Sequence, residues 1–142
     1  MKRSYRLVLP ALLGLFVFSC KKYIQQQEQN QATSIITDGY WYVSGFEQNN
    51  SNITGLFSGY LFKFNTNNTV TGTNSSDSVS ITGSWSDNLA ARTITTNFPG
   101  ATAPIAYLNE TWTITDSYTD SVSAKSTDTV LNTSNLLQLK KQ

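Results

Sequence analysis

Apolar and polar residues alternate with a period of two through most of the chain after Gly39. Successive side chains of a β-strand point to opposite faces, so this alternation is typical of half-buried strands. The clearest case is the segment 78–86, in which Ile81, Gly83 and Trp85 alternate with hydroxyl residues. We expect strands at about 39–47, 58–66, 69–73, 78–86, 91–98, 106–116, 121–126 and 135–140, with a further short strand left open at 129–131.

The first predicted strand carries apolar side chains on both faces. Trp41 and Val43 share one face, whereas Tyr40, Tyr42 and Phe46 share the other. A strand of this kind is typical of a position that is covered on both sides.

The connections between the predicted strands have the length of hairpin loops. Asn67 and Asn68, for example, predict a tight hairpin turn because Asn tolerates positive φ. Seven to nine such strands close into a barrel or fold as a sandwich. We therefore expect an all-β domain that forms a single antiparallel up-and-down β-barrel of about eight strands, with a β-sandwich as the alternative.

Composition and charge narrow the class of protein. Of 142 residues, 49 are Ser, Thr or Asn and only 13% are charged, which fits strands and turns with wet outer faces. From Asp38 onward, five basic residues stand against eight acidic ones. The resulting charge of −3 argues against nucleic acid as a partner, because nucleic-acid binding needs a basic footprint.

The N-terminal segment has the layout of a signal peptide. Lys2, Arg3 and Arg6 precede an apolar run from 7 to 18. This run of about 12 residues is too short to span a bilayer comfortably and fits the hydrophobic region of a secretory signal. We expect a signal peptide at 1–19.

The segment Val17-Phe18-Ser19-Cys20 resembles the lipobox of bacterial lipoproteins. The resemblance implies that the Cys20 thiol receives a diacylglyceryl group, that cleavage occurs before Cys20, and that the new N-terminus is acylated. Several acyl chains anchor a domain stably in a membrane. Because Cys20 is the only cysteine, no intrachain disulfide can form.

The residues after Cys20 bear on location and domain layout. Lys21-Lys22, in place of an aspartate, resembles lipoproteins that are sent to the outer membrane, so the expected location is the bacterial cell envelope. Residues 20–37 are Gln-rich and predict a flexible tether, with a short helix left open. Residues 38–142 form the predicted barrel domain.

An ordered series of motifs runs through this domain: Gly39-Tyr40-Trp41, an aromatic hairpin, Ile81-Thr82-Gly83-Ser84-Trp85, and Leu108-Asn109-Glu110-Thr111-Trp112. The series resembles the bacterial lipocalin-like lipoproteins, short lipid-anchored β-barrels. The resemblance implies an eight-stranded up-and-down barrel with a small apolar cavity. The arginine that in lipocalins packs over the first-strand tryptophan has no clear match in this sequence.

The candidate chemistry is sparse. The chain has no histidine, and its single thiol is assigned to lipid, so nucleophilic triads and the usual zinc sites are not expected. We expect no enzyme activity, cofactor or metal. The candidate ligand-binding residues are Trp41, Phe62, Phe64, Trp85, Glu110 and Trp112. For the aromatic residues among them the alternative is a core role, because aromatics dominate small β cores.

Glu110 is the one tempting carboxylate. Strict alternation puts it on the same face as Leu108 and Trp112 and aims it inward, where burial would raise its pKa. The alternative is a bulge or turn near Asn109 that rotates Glu110 outward.

Three tripeptides combine Asp, a hydroxyl residue and Val, and they begin at Asp77, Asp120 and Asp128. They resemble the acceptor motif for periplasmic O-glycosylation in some gut-type bacteria. The candidate acceptors are Ser78, Ser121 and Thr129. The alternative is that the Asp ends a turn and the following residues start a strand.

Two functional hypotheses follow from the sequence. The first is a monomeric envelope lipoprotein whose barrel binds a small apolar ligand or serves as an accessory domain. The second is a surface module for glycan or protein interaction without an internal cavity, for which exposed Tyr40 and Tyr42 would supply a stacking patch.

Overall fold

In a computed structural model, residues 31–128 and 132–142 are described, and residues 31–37 are helical. Ile35 to Gln142 belong to one compact unit. No helix within the described ranges is long and apolar enough to cross a membrane. The described strands are β1 (Trp41–Gln48), β2 (Ser51–Asn52), β3 (Tyr60–Phe64), β4 (Thr69–Asn74), β5 (Ser80–Asn88), β6 (Thr93–Asn97), β7 (Thr111–Ser117), β8 (Ser121–Asp128) and β9 (Thr133–Lys141). Two 3-10 helices lie at Thr54–Phe57 and Ile105–Leu108.

Eight of these strands close into an antiparallel barrel. From β3 to β9 each strand pairs with the next one, β1 pairs with β3, and β9 returns to pair with β1. The short β2 extends only the end of β1 as a hairpin, in which Gln48 pairs with Ser51. The predicted all-β, up-and-down barrel is therefore confirmed. Its seam between β1 and β3 consists of one registered pair, Trp41 with Phe62.

A β-bulge in β1 changes which side chains face inward. The register against β9 shifts between Val43 and Gly45, so alternation restarts at that point. Phe46 consequently faces the interior with Trp41 and is fully buried, whereas Tyr42 stays outside. The sequence-based grouping of Phe46 with Tyr42 on one face is wrong for this reason.

The barrel has two ends, which we name by their chain segments. The lower pole is the end at which β1 begins and β9 ends, and the upper pole is the opposite end. The lower pole contains residues 38–40 and the turns 65–68, 89–92 and 118–120. The upper pole contains the connections 49–59, 75–79 and 98–110 together with Asn132.

The interior is filled largely by aromatic side chains. Trp41, Phe46, Phe62 and Phe98 are essentially inaccessible to solvent. Phe62 meets Phe98 edge to face with their ring centroids 6.4 Å apart. Each aromatic residue that is fully buried contributes on the order of 2–3 kcal/mol to stability, so these rings dominate the core.

Candidate functional site

The barrel interior contains a small apolar cavity of about 40 Å³. A cavity holds one water molecule when it offers roughly 10–15 Å³ on this measure, so this space is about three water molecules in size. Pockets that enclose drug-sized ligands are typically about 300–1,000 Å³. Its walls include Ile36, Phe62, Phe64, Trp112, Leu137 and Leu139.

The helical residue Ile36 lines the cavity near the start of β1. Its side chain is buried, and its carbonyl accepts a hydrogen bond of 2.9 Å from Trp41 Nε1. The next carbonyl, that of Thr37, accepts a 2.6 Å bond from Lys63 Nζ. Ile36 lies in the segment that the sequence assigns to the tether, yet it packs as part of the hydrophobic core.

Trp41 is covered from outside by a cation that sequence reasoning missed. Lys141 Nζ lies 5.3 Å from the centroid of the Trp41 ring and 3.2 Å from Asp38 Oδ2. The register of β1 against β9 pairs Trp41 directly with Lys141, which places the lysine there. A cation–π contact of this kind contributes about 0.5–1 kcal/mol.

The candidate ligand-binding aromatics fall into two groups. Phe62, Phe64 and Trp112 line the cavity. Trp41 and Trp85 are buried in the core but do not line it. Trp85 donates from Nε1 to the carbonyl of Asn65 at 2.9 Å, a bond that ties β5 to the β3–β4 turn. The structure therefore brings together only part of the predicted set.

Glu110 does not line the cavity. The expected strand 106–116 begins only at Thr111, because the residues from Ile105 to Leu108 form a 3-10 helix, and strict alternation therefore does not reach Glu110. This correction matches the alternative of a turn near Asn109. Burial raises the pKa of Glu110 above its ordinary value of 4.5, and the charge of Asp128 raises it further.

The carbonyl of Leu108 anchors the upper connection to the barrel. It accepts hydrogen bonds from Thr96 Oγ1, from Trp112 Nε1 at 3.2 Å and from the Glu110 amide at 2.8 Å. Leu108 itself lines the cavity. These bonds fix the backbone of a residue whose side chain lines the cavity.

A buried polar pair lies between β8 and β9. Asn135 is only 2% exposed, and its Nδ2 donates to Ser126 Oγ at 3.2 Å. Its Oδ1 has no hydrogen-bond partner among the described residues. Neither side chain lines the cavity, so the pair adds no polar group to it.

The candidate O-glycosylation residues lie at turns where the structure describes them. Ser78 is exposed in the β4–β5 turn, where Asp77 Oδ1 accepts the amide of Val79 at 2.9 Å. Ser121 starts β8 and donates to Asp120 Oδ1 at 3.1 Å. In both places the Asp fits the turn-ending role of the alternative interpretation. Thr129 and the lipidation candidate Cys20 lie outside the described residues.

Within the described part of the chain, no three His, Cys, Asp or Glu side chains are grouped closely enough to hold a metal ion. Apart from Thr96, the side chains that line the cavity are apolar, so the cavity surface suits apolar groups.

Comparison with known proteins gives a fold relationship. No family model matches the sequence, and no curated protein matches it. One similar solved structure is a DUF4847 family protein from Bacteroides vulgatus, with a TM-score of 0.53 and 17% sequence identity. The match covers 78% of this chain and 99% of that one. The chain thus shares its fold with that protein. Its own eight-stranded antiparallel barrel is consistent with a lipocalin-like fold.

Proposed function

We propose that this chain is a bacterial envelope lipoprotein, anchored through acylated Cys20, whose lipocalin-like barrel binds a small apolar molecule. The observation that supports the ligand is the apolar cavity inside the barrel. The observation that supports the anchor is the lipobox-like Val17-Phe18-Ser19-Cys20.

The dimensions of the cavity define which ligands to consider. A space of about 40 Å³ accepts a group of a few heavy atoms, such as the end of an acyl chain or a small ring edge. A larger ligand has to displace Ile36, which lines the cavity. We therefore assign Ile36 as the residue that sets the size limit.

Binding of xenon, an apolar atom small enough for a space of about 40 Å³, tests the ligand; it is followed by NMR shifts of the methyl groups that line the cavity. Ile36→Ala widens the cavity and should tighten binding, whereas Ala124→Val fills it from β8 and should weaken binding. Ile53→Ala is the matched control, because Ile53 is partly buried but does not line the cavity. Equal affinity in all four proteins, or no binding to any, would contradict an internal site.

Incorporation of labelled palmitate in a bacterial host tests the anchor. The wild-type chain should carry the label, and Cys20→Ala should lose it, because no other thiol is present. An unlabelled wild-type protein would contradict the anchor while leaving the ligand site to be judged on its own test.

A second candidate is a surface module for glycan or protein interaction that uses no internal cavity. The small size of the cavity and the exposure of Tyr40 and Tyr42 favour it. Titration with soluble oligosaccharides, followed by tyrosine fluorescence, distinguishes it from the first. A response that Tyr42→Ser removes and Ala124→Val leaves intact would support the surface module.

A further inference from the structure

The two poles of the barrel differ in charge. The lower pole and the strand ends beside it carry Lys63, Arg92, Lys140 and Lys141 together with Asp38, Asp87, Asp116 and Asp120. The upper pole and its adjoining strand ends carry Glu47, Asp77, Glu110 and Asp128. The lower pole is therefore formally neutral, whereas the upper pole has four carboxylates and, among the described residues, no cation. Lys125 lies between them on β8.

Three exposed tyrosines lie at the lower pole. Tyr40 is 52% exposed, Tyr42 is 38% exposed and Tyr118 is 65% exposed. Their backbone segments meet at the end of β9. Tyr42 pairs with Lys140, and the Gln142 amide donates to the Tyr40 carbonyl at 2.9 Å. Tyr118 reaches the same corner because its amide donates to Ser121, which also pairs with Lys140.

Lysines accompany these rings. Lys63 Nζ lies 5.7 Å from the centroid of the Tyr40 ring, and Lys140 is exposed. Tyrosine and lysine side chains share a form that suits a membrane interface, with an apolar body and a polar or cationic tip. Anionic headgroups attract nearby cations and repel carboxylates. The lower pole, where four cations balance four carboxylates, is therefore repelled less by such a surface than the upper pole.

The chain also enters the compact unit at this pole. The unit begins at Ile35, and the Ile36 carbonyl is bonded to Trp41 at the start of β1. We propose that the lower pole rests on the lipid headgroups of the bilayer, with Tyr40, Tyr42 and Tyr118 at the contact and the acidic upper pole facing away. This inference rests on the proposed anchor at Cys20, which holds the domain near the same bilayer.

The dimensions of the barrel make the orientation measurable. β9 has nine residues. At about 3.3 Å per residue and a tilt of about 35–45°, it separates the two poles by roughly 20–25 Å. A paramagnetic ion fixed at the headgroups therefore affects a spin label at one pole much more than a label at the other.

The test uses the full lipidated chain in phosphatidylethanolamine–phosphatidylglycerol vesicles doped with a nickel-chelating lipid. Because Cys20 is the only cysteine and is acylated, a nitroxide can be attached at Thr119→Cys in the lower pole or Ser76→Cys in the upper pole; both native residues are exposed. We expect nickel to enhance relaxation of the label at 119 and to leave the label at 76 near its value in nickel-free vesicles.

A pair of variants tests the contact residues. Tyr40→Ser with Tyr42→Ser should remove most of the enhancement at 119, whereas Leu56→Ser with Val79→Ser, at exposed upper-pole positions, should leave it unchanged. Equal enhancement at both labels, enhancement at neither, or enhancement only at 76 would overturn the proposed orientation. Protein that does not float with the vesicles would instead refute the anchor itself, and the inference would fall with it.

Discussion

Gly83 lies close to the end of β6 and to Phe98, which follows it. It lies in β5 opposite Val70 and faces the interior. A Cβ placed on Gly83 would lie 2.3 Å from the carbonyl oxygen of Asn97 and 2.8 Å from Cδ1 of Phe98. We predict that Gly83→Ala strongly destabilises the fold.

The size of this destabilisation depends on which atoms must move to make room for the added Cβ. The nearest atom belongs to backbone at the end of β6, so a rotamer change of a side chain cannot relieve the contact. Phe98 lines the cavity, and its displacement disturbs the Phe62 ring that it meets. Overpacking of this kind costs about 3 kcal/mol, and the entropy that Ala removes from the unfolded chain returns about 0.5 kcal/mol, which leaves a loss of about 2–3 kcal/mol.

Urea unfolding monitored by tryptophan fluorescence measures this loss. With an m-value of about 1.5 kcal/mol per M, the midpoint should fall by about 1.3–2 M while the slope stays constant. Gly55→Ala is the matched control, because a Cβ at Gly55 meets no atom within 4 Å. It should leave stability unchanged or raise it by about 0.4–1 kcal/mol.

The reasoning would be refuted by a Gly83→Ala protein that unfolds within about 0.5 kcal/mol of the wild type, a difference typical of surface substitutions. It would also fail if Gly55→Ala were equally damaging, because loss of stability would then not depend on the close contact at Asn97.

Three further predictions concern the cavity, pH and modification. Ala124→Val should raise stability by about 1 kcal/mol in urea unfolding, because two added carbons fill apolar space beside β8; unchanged or lower stability would mean that the space is not there to fill. Glu110→Gln should unfold at higher urea than the wild type at pH 7. Because folding raises the pKa of Glu110, protonation of Glu110 stabilises the folded wild type below pH 4.5, and this stabilisation is lost as the pH rises. The difference in stability between the two proteins should therefore disappear at pH 4. A difference that persists at pH 4 would contradict this cause. Intact-mass measurement of protein from its native host should show added glycan that decreases when Ser78→Ala or Ser121→Ala is introduced, and an unmodified wild-type mass would end the glycosylation hypothesis.

The strands that sequence reasoning predicted well are those with an uninterrupted alternation. In β5, Gly83 and Trp85 face the interior as the period of two predicts, and in β9 the same holds for Leu137 and Leu139. Alternation succeeds there because one face of a regular strand is packed and the other is wet.

The wrong predictions have local structural causes that the sequence of one strand does not show. The bulge in β1 depends on the register against β9, and only that pairing shows that Phe46 faces inward. The segment from Ile105 to Leu108 is a continuous apolar run that resembles a strand in sequence, but its backbone forms a 3-10 helix. The same misjudged segment led to the inward expectation for Glu110.

The candidate site was predicted only in part, for a related reason. The sequence predicts that the aromatic residues face the barrel interior. Which of them line the cavity depends on how the side chains pack in the closed barrel. Phe62 and Trp112 line the cavity, whereas Trp85 donates a hydrogen bond to the Asn65 carbonyl in the β3–β4 turn. Lys141 was missed because its contact with Trp41 spans nearly the whole domain in sequence.

The pairing of β1 with β9 has a consequence for how the domain folds. Seven paired residues join the first long strand to the last one, so the wall stays open until the segment Thr133–Lys141 has been synthesised. Contacts between such distant parts of a chain form slowly, because a long loop must close before they contribute. A chain in which this last segment is not yet paired therefore presents two open strand edges, on β1 and β8, and pairing of β9 with both strands removes them.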